Sequence, residues 1–187
     1  RGEFGMRRGS EHVILERPVW VERIPDGHPM ELPEGQSVMI TQALGSAFTL
    51  WVDGQLVRLR GEDADAIGQP VPETIEIPDS AGPEDVEELA WKAMKTCYDP
   101  EIPVNIVDLG LVYSLDIEPY DDKGGLLIKV RMTLTAPGCG MGPVLGKEVS
   151  EKLGALPHVE RVEVELVFDP PWDRSMMTEA AALALGL

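Results

Sequence analysis

The sequence contains few residues that could build a metal site or a disulfide framework. Among its 187 residues it has two cysteines and three histidines. Two cysteines at unlike positions do not make a disulfide framework, which suits a reducing cytoplasm, the predicted location of the protein. A structural zinc site normally takes four nitrogen or sulfur ligands. One thiol therefore cannot close such a site.

Basic residues are also scarce. Lysine and arginine number 16 against 33 aspartates and glutamates, so the formal net charge is −17. Such a surface repels the phosphates of nucleic acids and of anionic membranes, and the sequence predicts neither partner. No apolar run approaches the roughly 18 residues that a membrane-spanning helix needs. Two explanations of the negative charge remain, namely contact with basic patches on partner proteins, or solubility alone.

Turn and proline signals divide the chain into four segments. Short β-rich runs joined by turns predict a small barrel or meander in the first half, with Asp53-Gly54 as a hairpin turn. A stretch rich in proline then marks an extended linker. The predicted segments are an expression scar at 1–5, a small all-β N-terminal domain at 6–68, a Pro-rich linker at 69–82 and an α+β domain at 83–187.

Helical and strand periodicities alternate in the last segment. A helix from Pro83 has an apolar face that ends with Cys97, so this cysteine is predicted to lie in the core. Three strands of period-two alternation follow, with Tyr113 on the core face of the first. A helix from Pro143 separates the second and third strands, which makes these two strands parallel. With a last helix capped near Thr178, the order helix, strand, strand, helix, strand, helix predicts a compact two-layer α+β domain.

A glycine-rich turn with one thiol stands at the start of the second helix, within residues 133–143. Gly138, Gly140 and Gly142 leave Cys139 little side-chain cover, so the turn should present the sulfur. The positive end of the following helix lowers the pKa of a nearby thiol. This favours a reactive or metal-binding thiolate. A tight turn with an incidental small residue stays open as the alternative.

Strand register predicts which loops lie beside that turn. Paired residue numbers in the first two strands should sum to about 244, which puts Thr135 near Leu109. The third strand ends at the same edge, where ligand sites in such sheets collect, and brings Trp172 within range. For Asp108 an Asx-type turn cap is an equally good interpretation. The polar side chains predicted to share this edge are Asn105, Asp108, Thr135 and Asp169.

The chemistry open to a single thiolate is limited. An iron–sulfur cluster normally takes four thiolates, so a cluster at Cys139 would need ligands from a second chain, a small thiol or a client protein. Such labile sharing suits a carrier. A nucleophilic enzyme needs a base beside the sulfur. His158, the only histidine after residue 82, precedes the third strand on the opposite edge, while His12 and His28 are lone histidines near turns.

Three motifs closely resemble the iron–sulfur assembly domain family. They are residues 99–113 (DPEIPVNIVDLGLVY), Thr133-Leu134-Thr135 with Cys139, and residues 169–172 (DPPW). The N-terminal region resembles that of bacterial members. The resemblance implies Cys139 as the functional thiol and puts Glu101, Asp108 and Thr135 at motif positions.

The resemblance also implies a role. It is that of an auxiliary maturation factor, not an enzyme, which works with the iron–sulfur assembly machinery and delivers a transient or labile iron–sulfur cluster to apo client proteins. One thiol per chain favours a homodimer. Two alternatives stay open: a thiol-dependent enzyme with nucleophilic Cys139, and a non-catalytic protein-interaction module.

Overall fold

The structure, a computed structural model, describes residues 11–136 and 140–187. Helices and β-sheets are both present in these residues, as the mixed periodicity predicts. The predicted scar at 1–5 and three residues of the thiol turn, Pro137, Gly138 and Cys139, lie outside the described residues. Within the described ranges, no helix is both long and apolar enough to span a bilayer.

The first part of the chain forms a six-stranded sheet in which all neighbouring strands are antiparallel. We call residues 11–68, which include a 3₁₀ helix at Gly61–Ile67, the N-terminal β-unit. The predicted Asp53-Gly54 turn joins the last two strands, and both of its residues have positive φ. The strands are β1 Glu11–Ile14, β2 Val19–Arg23, β3 Pro29–Leu32, β4 Ser37–Gln42, β5 Ala47–Val52 and β6 Gln55–Arg60.

The order of these strands is β1-β4-β5-β6-β2-β3. A meander, one of the two predicted arrangements, is therefore wrong, because the β2–β3 hairpin lies beyond β6 instead of between β1 and β4. Strand β3 was not predicted. It is four residues long, begins with Pro29 and lies between two runs of turn residues.

The last part of the chain, residues 83–187, is called the C-terminal α/β unit. The strands of its three-stranded sheet follow one another in chain order, and the middle strand is antiparallel to the first and parallel to the last, as predicted. Its core holds Cys97, which is fully buried, so the predicted core position of this cysteine is confirmed. The elements are α1 Val86–Met94, β7 Val112–Pro119, β8 Leu126–Met132, α2 Gly142–Gly154, β9 Val159–Leu166 and α3 Glu179–Ala184.

A β-bulge in β7 reverses the predicted orientation of Tyr113. The register shifts between Val112 and Ser114, so one extra residue stands on this strand. The Tyr113 hydroxyl consequently leaves the core and donates a hydrogen bond of 2.7 Å to the carbonyl oxygen of Pro170. Val112 packs against the core in its place.

The last helix begins where the sequence predicts. The Thr178 side chain accepts a hydrogen bond of 3.2 Å from the Ala181 N–H and so caps the helix α3. Ala181 is buried, whereas Leu183 and Leu187 are 70% and 59% exposed. The helix is thus attached by its first turn, and Leu185, directly after its last residue, also packs against the core.

Candidate functional site

Helix α2 begins without help from side chains. Its N-cap residue Met141 makes no side-chain hydrogen bond to the helix, and the first turn contains Pro143 but no acidic residue. The unsatisfied N–H groups and the positive dipole end at this start are therefore not compensated by a carboxylate of that turn. Cys139 lies outside the described residues, but Gly140, which follows it in the sequence, is described.

Close packing fixes the start of α2 to the end of the sheet. A β-carbon at Gly142 would lie 2.8 Å from Leu166 Cδ1 and 3.0 Å from Leu134 Cδ1. These leucines follow or end the parallel strands β8 and β9. Gly142 thus permits the close approach of the start of α2 to the strand ends.

Asp108 is hydrogen-bonded to Asn105 and Thr178. Its side chain accepts hydrogen bonds from Asn105 Nδ2 at 2.7 Å and from Thr178 Oγ1 at 3.3 Å. Its own N–H donates to Asn105 Oδ1 at 2.9 Å, and its carbonyl accepts from the Thr178 N–H at 2.9 Å. The side chain that caps this turn is that of Asn105, since the Asp108 carboxylate accepts only from side chains in these contacts and the Gly110 N–H donates to the Val107 carbonyl. The predicted Asx-type cap by Asp108 is therefore not observed, and Asp108 instead joins the loop to α3.

The predicted convergence of loops at this edge is partly observed. Val112 pairs with Met132, and the Thr133 N–H donates to the Leu111 carbonyl at 2.8 Å, so the predicted register is confirmed. Trp172 Nε1 donates to the Leu109 carbonyl at 2.7 Å, which brings the segment after β9 onto the loop. The half-buried Thr135 and the exposed Asp169 lie in the segments that follow β8 and β9.

Glu101 belongs to a different turn. The carboxylate of Asp99 accepts hydrogen bonds from the N–H groups of Glu101 and Ile102, at 2.9 and 3.0 Å, and holds this turn closed. Burial raises the pKa of Asp99 in spite of these two donors. Thr49 Oγ1 of the N-terminal β-unit donates to the Pro100 carbonyl at 2.7 Å. The Glu101 turn is thus attached to the other unit, while Glu101 itself is exposed.

A buried charge cluster lies between the two units and was not predicted from the sequence. Arg58 Nη2 of β6 lies 2.5 Å from Glu148 Oε2 of α2, and these side chains are only 6% and 10% exposed. Lys152 Nζ lies 3.3 Å from Glu148 Oε1, and Arg58 Nη1 lies 3.5 Å from Glu22 Oε2. Ser46 and Thr96 hydrogen-bond within the same cluster.

The electrostatics of this cluster favour the charged form of Glu148. Burial alone would raise the pKa of Glu148, but Arg58 and Lys152 outweigh it and hold the pKa below its ordinary value. The available signal was the charge pair Glu148 and Lys152, spaced four residues apart beside the apolar stripe of α2. Nothing in that spacing names Arg58, 90 positions away, as the partner.

A cleft of about 500 Å³ lies between the units, beside the start of α2. Gly27 and Arg60 border it on one side, and Pro143, Val144 and Lys147 on the other. Its charged lining is balanced, with as many basic as acidic side chains. These are Arg58, Arg60, Lys147 and Lys152 with Glu22, Glu62, Glu148 and Glu151.

The second cysteine is unsuited to metal binding. Burial, and then the nearby charge of Glu148, raise the pKa of Cys97 to about 12, so its thiol stays protonated. Among the residues that the structure describes, no group of three or more His, Cys, Asp or Glu side chains could hold a metal ion. Cys139 is outside that search.

His158 and His28 differ in their position relative to the start of α2. The His158 carbonyl accepts from the Leu126 N–H at 2.8 Å, at the start of β8, so His158 lies at the opposite edge from α2's first turn, as predicted. His28 is exposed and follows Gly27, which contacts Gly140. The sequence argument against a Cys–His enzyme considered His158 and did not anticipate His28 on this side.

Comparison with known proteins identifies one family model and several similar proteins. Residues 87–166 match the family model described as iron–sulfur cluster assembly protein. The Fe-S protein maturation auxiliary factor YitW of Bacillus subtilis (strain 168) is 41% identical over 104 residues, which cover 56% of this chain and 97% of that protein. The Fe-S protein maturation auxiliary factor SufT of Staphylococcus aureus (strain USA300) is 43% identical over 89 residues, 48% of this chain and 96% of that protein.

A solved structure is also similar. The crystal structure of a domain of unknown function from Bacillus anthracis is 33% identical, covers 56% of this chain and 94% of that chain, and has a TM-score of 0.48. The family match begins at residue 87, so the resemblance of the N-terminal region to bacterial members lies outside it and stays a prediction. Because relatives more than 40% identical are matched over nearly their whole length, the chain belongs to the iron–sulfur cluster assembly protein family.

Proposed function

We propose that the chain is an auxiliary maturation factor that carries an iron–sulfur cluster, or adapts its delivery, to apo client proteins. The observation that carries this proposal is the uncapped start of α2, directly after the Gly140 that follows Cys139. A helix start without a competing carboxylate stabilises a thiolate nearby. The maturation names of SufT and YitW support the same role.

Cys139 is the proposed cluster ligand, and the other predicted residues have supporting tasks. Asn105 and Asp108 hold the neighbouring loop in shape. Thr135 and Asp169 lie on the segments after β8 and β9 and would border a bound cluster. The turn that carries Glu101 is attached to the N-terminal β-unit through Pro100, so we propose an indirect supporting role for Glu101. Gly142 permits the start of α2 to approach the sheet, and Gly138 and Gly140 are the other proposed structural residues of the turn.

The cluster is cargo for this protein and not a resident cofactor. A cluster normally takes four thiolates, whereas Cys97 is buried with a raised thiol pKa. Cys139 therefore supplies one ligand per chain, and a second copy of the chain, a small thiol or the client supplies the rest. A homodimer is one such arrangement. Incomplete ligation by one chain makes the cluster labile, which is what delivery requires.

We also propose that the two units are separate domains joined by the Pro-rich segment 69–82, the second of them a two-layer α+β domain. The buried residues of the two hydrophobic cores do not overlap, which supports this division. The excess of acidic residues supports basic patches on assembly or client proteins as contact surfaces, and argues against nucleic acids and membranes as partners. A reducing cytoplasm is the proposed location.

The test is anaerobic reconstitution of the full chain with ferrous iron and sulfide. We expect the wild type and Cys97→Ser to develop the visible absorption of an iron–sulfur cluster, and Cys139→Ser to lack it. Cys97→Ser is the matched control, because it removes the same atom type from a core position.

Equal absorption from Cys139→Ser and the wild type would contradict the carrier proposal. The enzyme alternative predicts a different result, namely an acyl or alkyl adduct on Cys139 that forms and turns over with a substrate. If client proteins mature normally in cells that carry Cys139→Ala, the non-catalytic protein-interaction module is the alternative that remains.

A further inference from the structure

The N-terminal β-unit presents a well-fixed turn to the start of α2. Residues 24–28 connect β2 and β3, and the Gly27 N–H donates to the Arg23 carbonyl at 2.6 Å. The Arg23 guanidinium pairs with the Asp26 carboxylate at 2.5 Å and lowers the pKa of that carboxyl to about 2. The Ile24 N–H donates to the Leu56 carbonyl at 2.9 Å, which attaches the turn to β6.

This turn lies directly against Gly140. A β-carbon at Gly140 would overlap the carbonyl group of Asp26, and a β-carbon at Gly27 would overlap the carbonyl oxygen of Gly140. The same position at Gly27 is 3.5 Å from Val144 Cγ2 in the first turn of α2. Backbone therefore meets backbone at the residue that follows Cys139 and at the helix start. Side chains larger than hydrogen are excluded on both sides.

Two further contacts attach the same unit to the C-terminal α/β unit. The buried Arg58–Glu148 pair fixes β6 to the middle of α2. Gln42 Nε2 donates to the Asp99 carbonyl at 3.0 Å, next to the Thr49 contact with the Glu101 turn. The N-terminal β-unit thus contacts both the start of α2 and the turn that carries Glu101.

We infer that the N-terminal β-unit is an intramolecular positioning element, whose Asp26-Gly27 turn fixes the start of α2, the helix that follows the thiol in the sequence. The inference rests on the proposed function only in taking Cys139 as the functional thiol. Gly27 and Gly140 are positioning residues, since they act through the helix start. The contact gives the N-terminal β-unit a task within the maturation site.

The test compares Gly27→Ala with Gly54→Ala in the full chain without iron. Both glycines have positive φ, 73° and 83°, so alanine strains the backbone similarly at each. The added β-carbon would meet Gly140 at position 27, whereas at position 54 nothing lies within 4 Å of it. Both variants should therefore lose stability through backbone strain, but only Gly27→Ala should disturb the contact with Gly140.

Two measurements are made, hydrogen exchange at the start of α2 and alkylation of the thiol. The Leu145 N–H donates to the Met141 carbonyl at 2.8 Å and reports on the first turn of α2 by hydrogen exchange. In Gly27→Ala we expect roughly tenfold faster exchange at Leu145, with Gly54→Ala near the wild type. We also expect roughly fivefold slower alkylation of Cys139 by iodoacetamide at neutral pH, because a loosened helix start stabilises the thiolate less. Mass spectrometry of the adduct identifies the cysteine.

A second pair of variants approaches the contact from the other side. Gly140→Ala should reproduce the faster exchange at Leu145, whereas Gly146→Ala, in the same helix, has only an ordinary contact at 3.7 Å and should not. Equal rates in Gly27→Ala and Gly54→Ala, or in Gly140→Ala and Gly146→Ala, would overturn the inference. Neither readout needs a cluster, so failure here and failure of the reconstitution are separate results.

Discussion

Replacing Glu148 by glutamine removes one charge from the buried cluster between the units and preserves the size of the side chain. Arg58 and Lys152 then face each other with one carboxylate fewer, and Arg58, at 6% exposure, has little access to water. Removing one partner of a buried ion pair leaves an uncompensated charge and costs about 3 kcal/mol or more. We expect Glu148→Gln to lower the free energy of unfolding by about 3 kcal/mol, since Glu22 compensates Arg58 only in part.

The same helix offers a matched control. Glu151 pairs with Lys147 at 3.9 Å, and both side chains are 60% exposed. Exposed pairs contribute at most about 1 kcal/mol, so Glu151→Gln should change the free energy of unfolding by about 0.5 kcal/mol or less. Urea unfolding at neutral pH, followed by circular dichroism and tryptophan fluorescence, measures both variants.

A double replacement separates the charge from the packing. Arg58→Met with Glu148→Leu removes both charges and fills similar volume, and we expect it to cost less than Glu148→Gln alone, because well-packed apolar residues often replace a buried pair without loss. If Glu148→Gln costs no more than Glu151→Gln, or if the double replacement costs the sum of its single changes, the assigned coupling between the units is wrong.

The remaining predictions concern pH and the cap of α3. The depressed pKa of Glu148 in the folded chain means that its contribution to stability is fully present above the ordinary glutamate pKa of 4.5 and is lost as the pH falls through the lower folded value. Unfolding midpoints measured from pH 7 to pH 3 should therefore fall less steeply in Glu148→Gln than in the wild type, and parallel curves would contradict the assignment. Thr178→Ala removes the side-chain cap of α3 and the contact with Asp108, and should cost about 1 kcal/mol in urea unfolding. Ser175→Ala, in the preceding 3₁₀ turn, lacks both contacts and should cost less; equal losses would show that Thr178 is not the cap.

Local patterns predicted much of the C-terminal α/β unit. Strong alternation defined β8 and β9, and the crossover rule made them parallel. Helical spacing placed Cys97 in the core, and the Thr178 cap was visible in the sequence as a polar residue before a short apolar run. These features depend on neighbours within a few residues, which the sequence shows directly.

Features that depend on one extra residue or on distant partners were not predicted. The bulge before Ser114 turns Tyr113 away from the core, because one inserted residue reverses the side-chain alternation that precedes it. Strand β3 pairs with β2 despite beginning with Pro29, which is tolerated there because β3 is an edge strand. Such pairings are set by tertiary contacts and leave little periodicity in the sequence.

The candidate site shows the same division. The register that brings the Asn105–Asp108 loop and Trp172 to one edge follows from strand pairing and was predicted. The contact between Gly27 and Gly140 joins segments more than a hundred residues apart, and a glycine in a turn signal does not reveal what packs against it. The sequence therefore predicted the helix that follows the thiol, but not the contact between the start of this helix and the N-terminal β-unit.

The rate of Cys139 alkylation as a function of pH tests the central claim most directly, because the proposal requires this thiol to ionise readily at the start of α2. We predict a midpoint below the ordinary thiol pKa of about 8.5 in the wild type, and the same midpoint in His28→Ala, since the helix start and not a histidine lowers the pKa. An ordinary midpoint in the wild type would contradict the claim. A midpoint that rises in His28→Ala would favour a Cys–His enzyme instead.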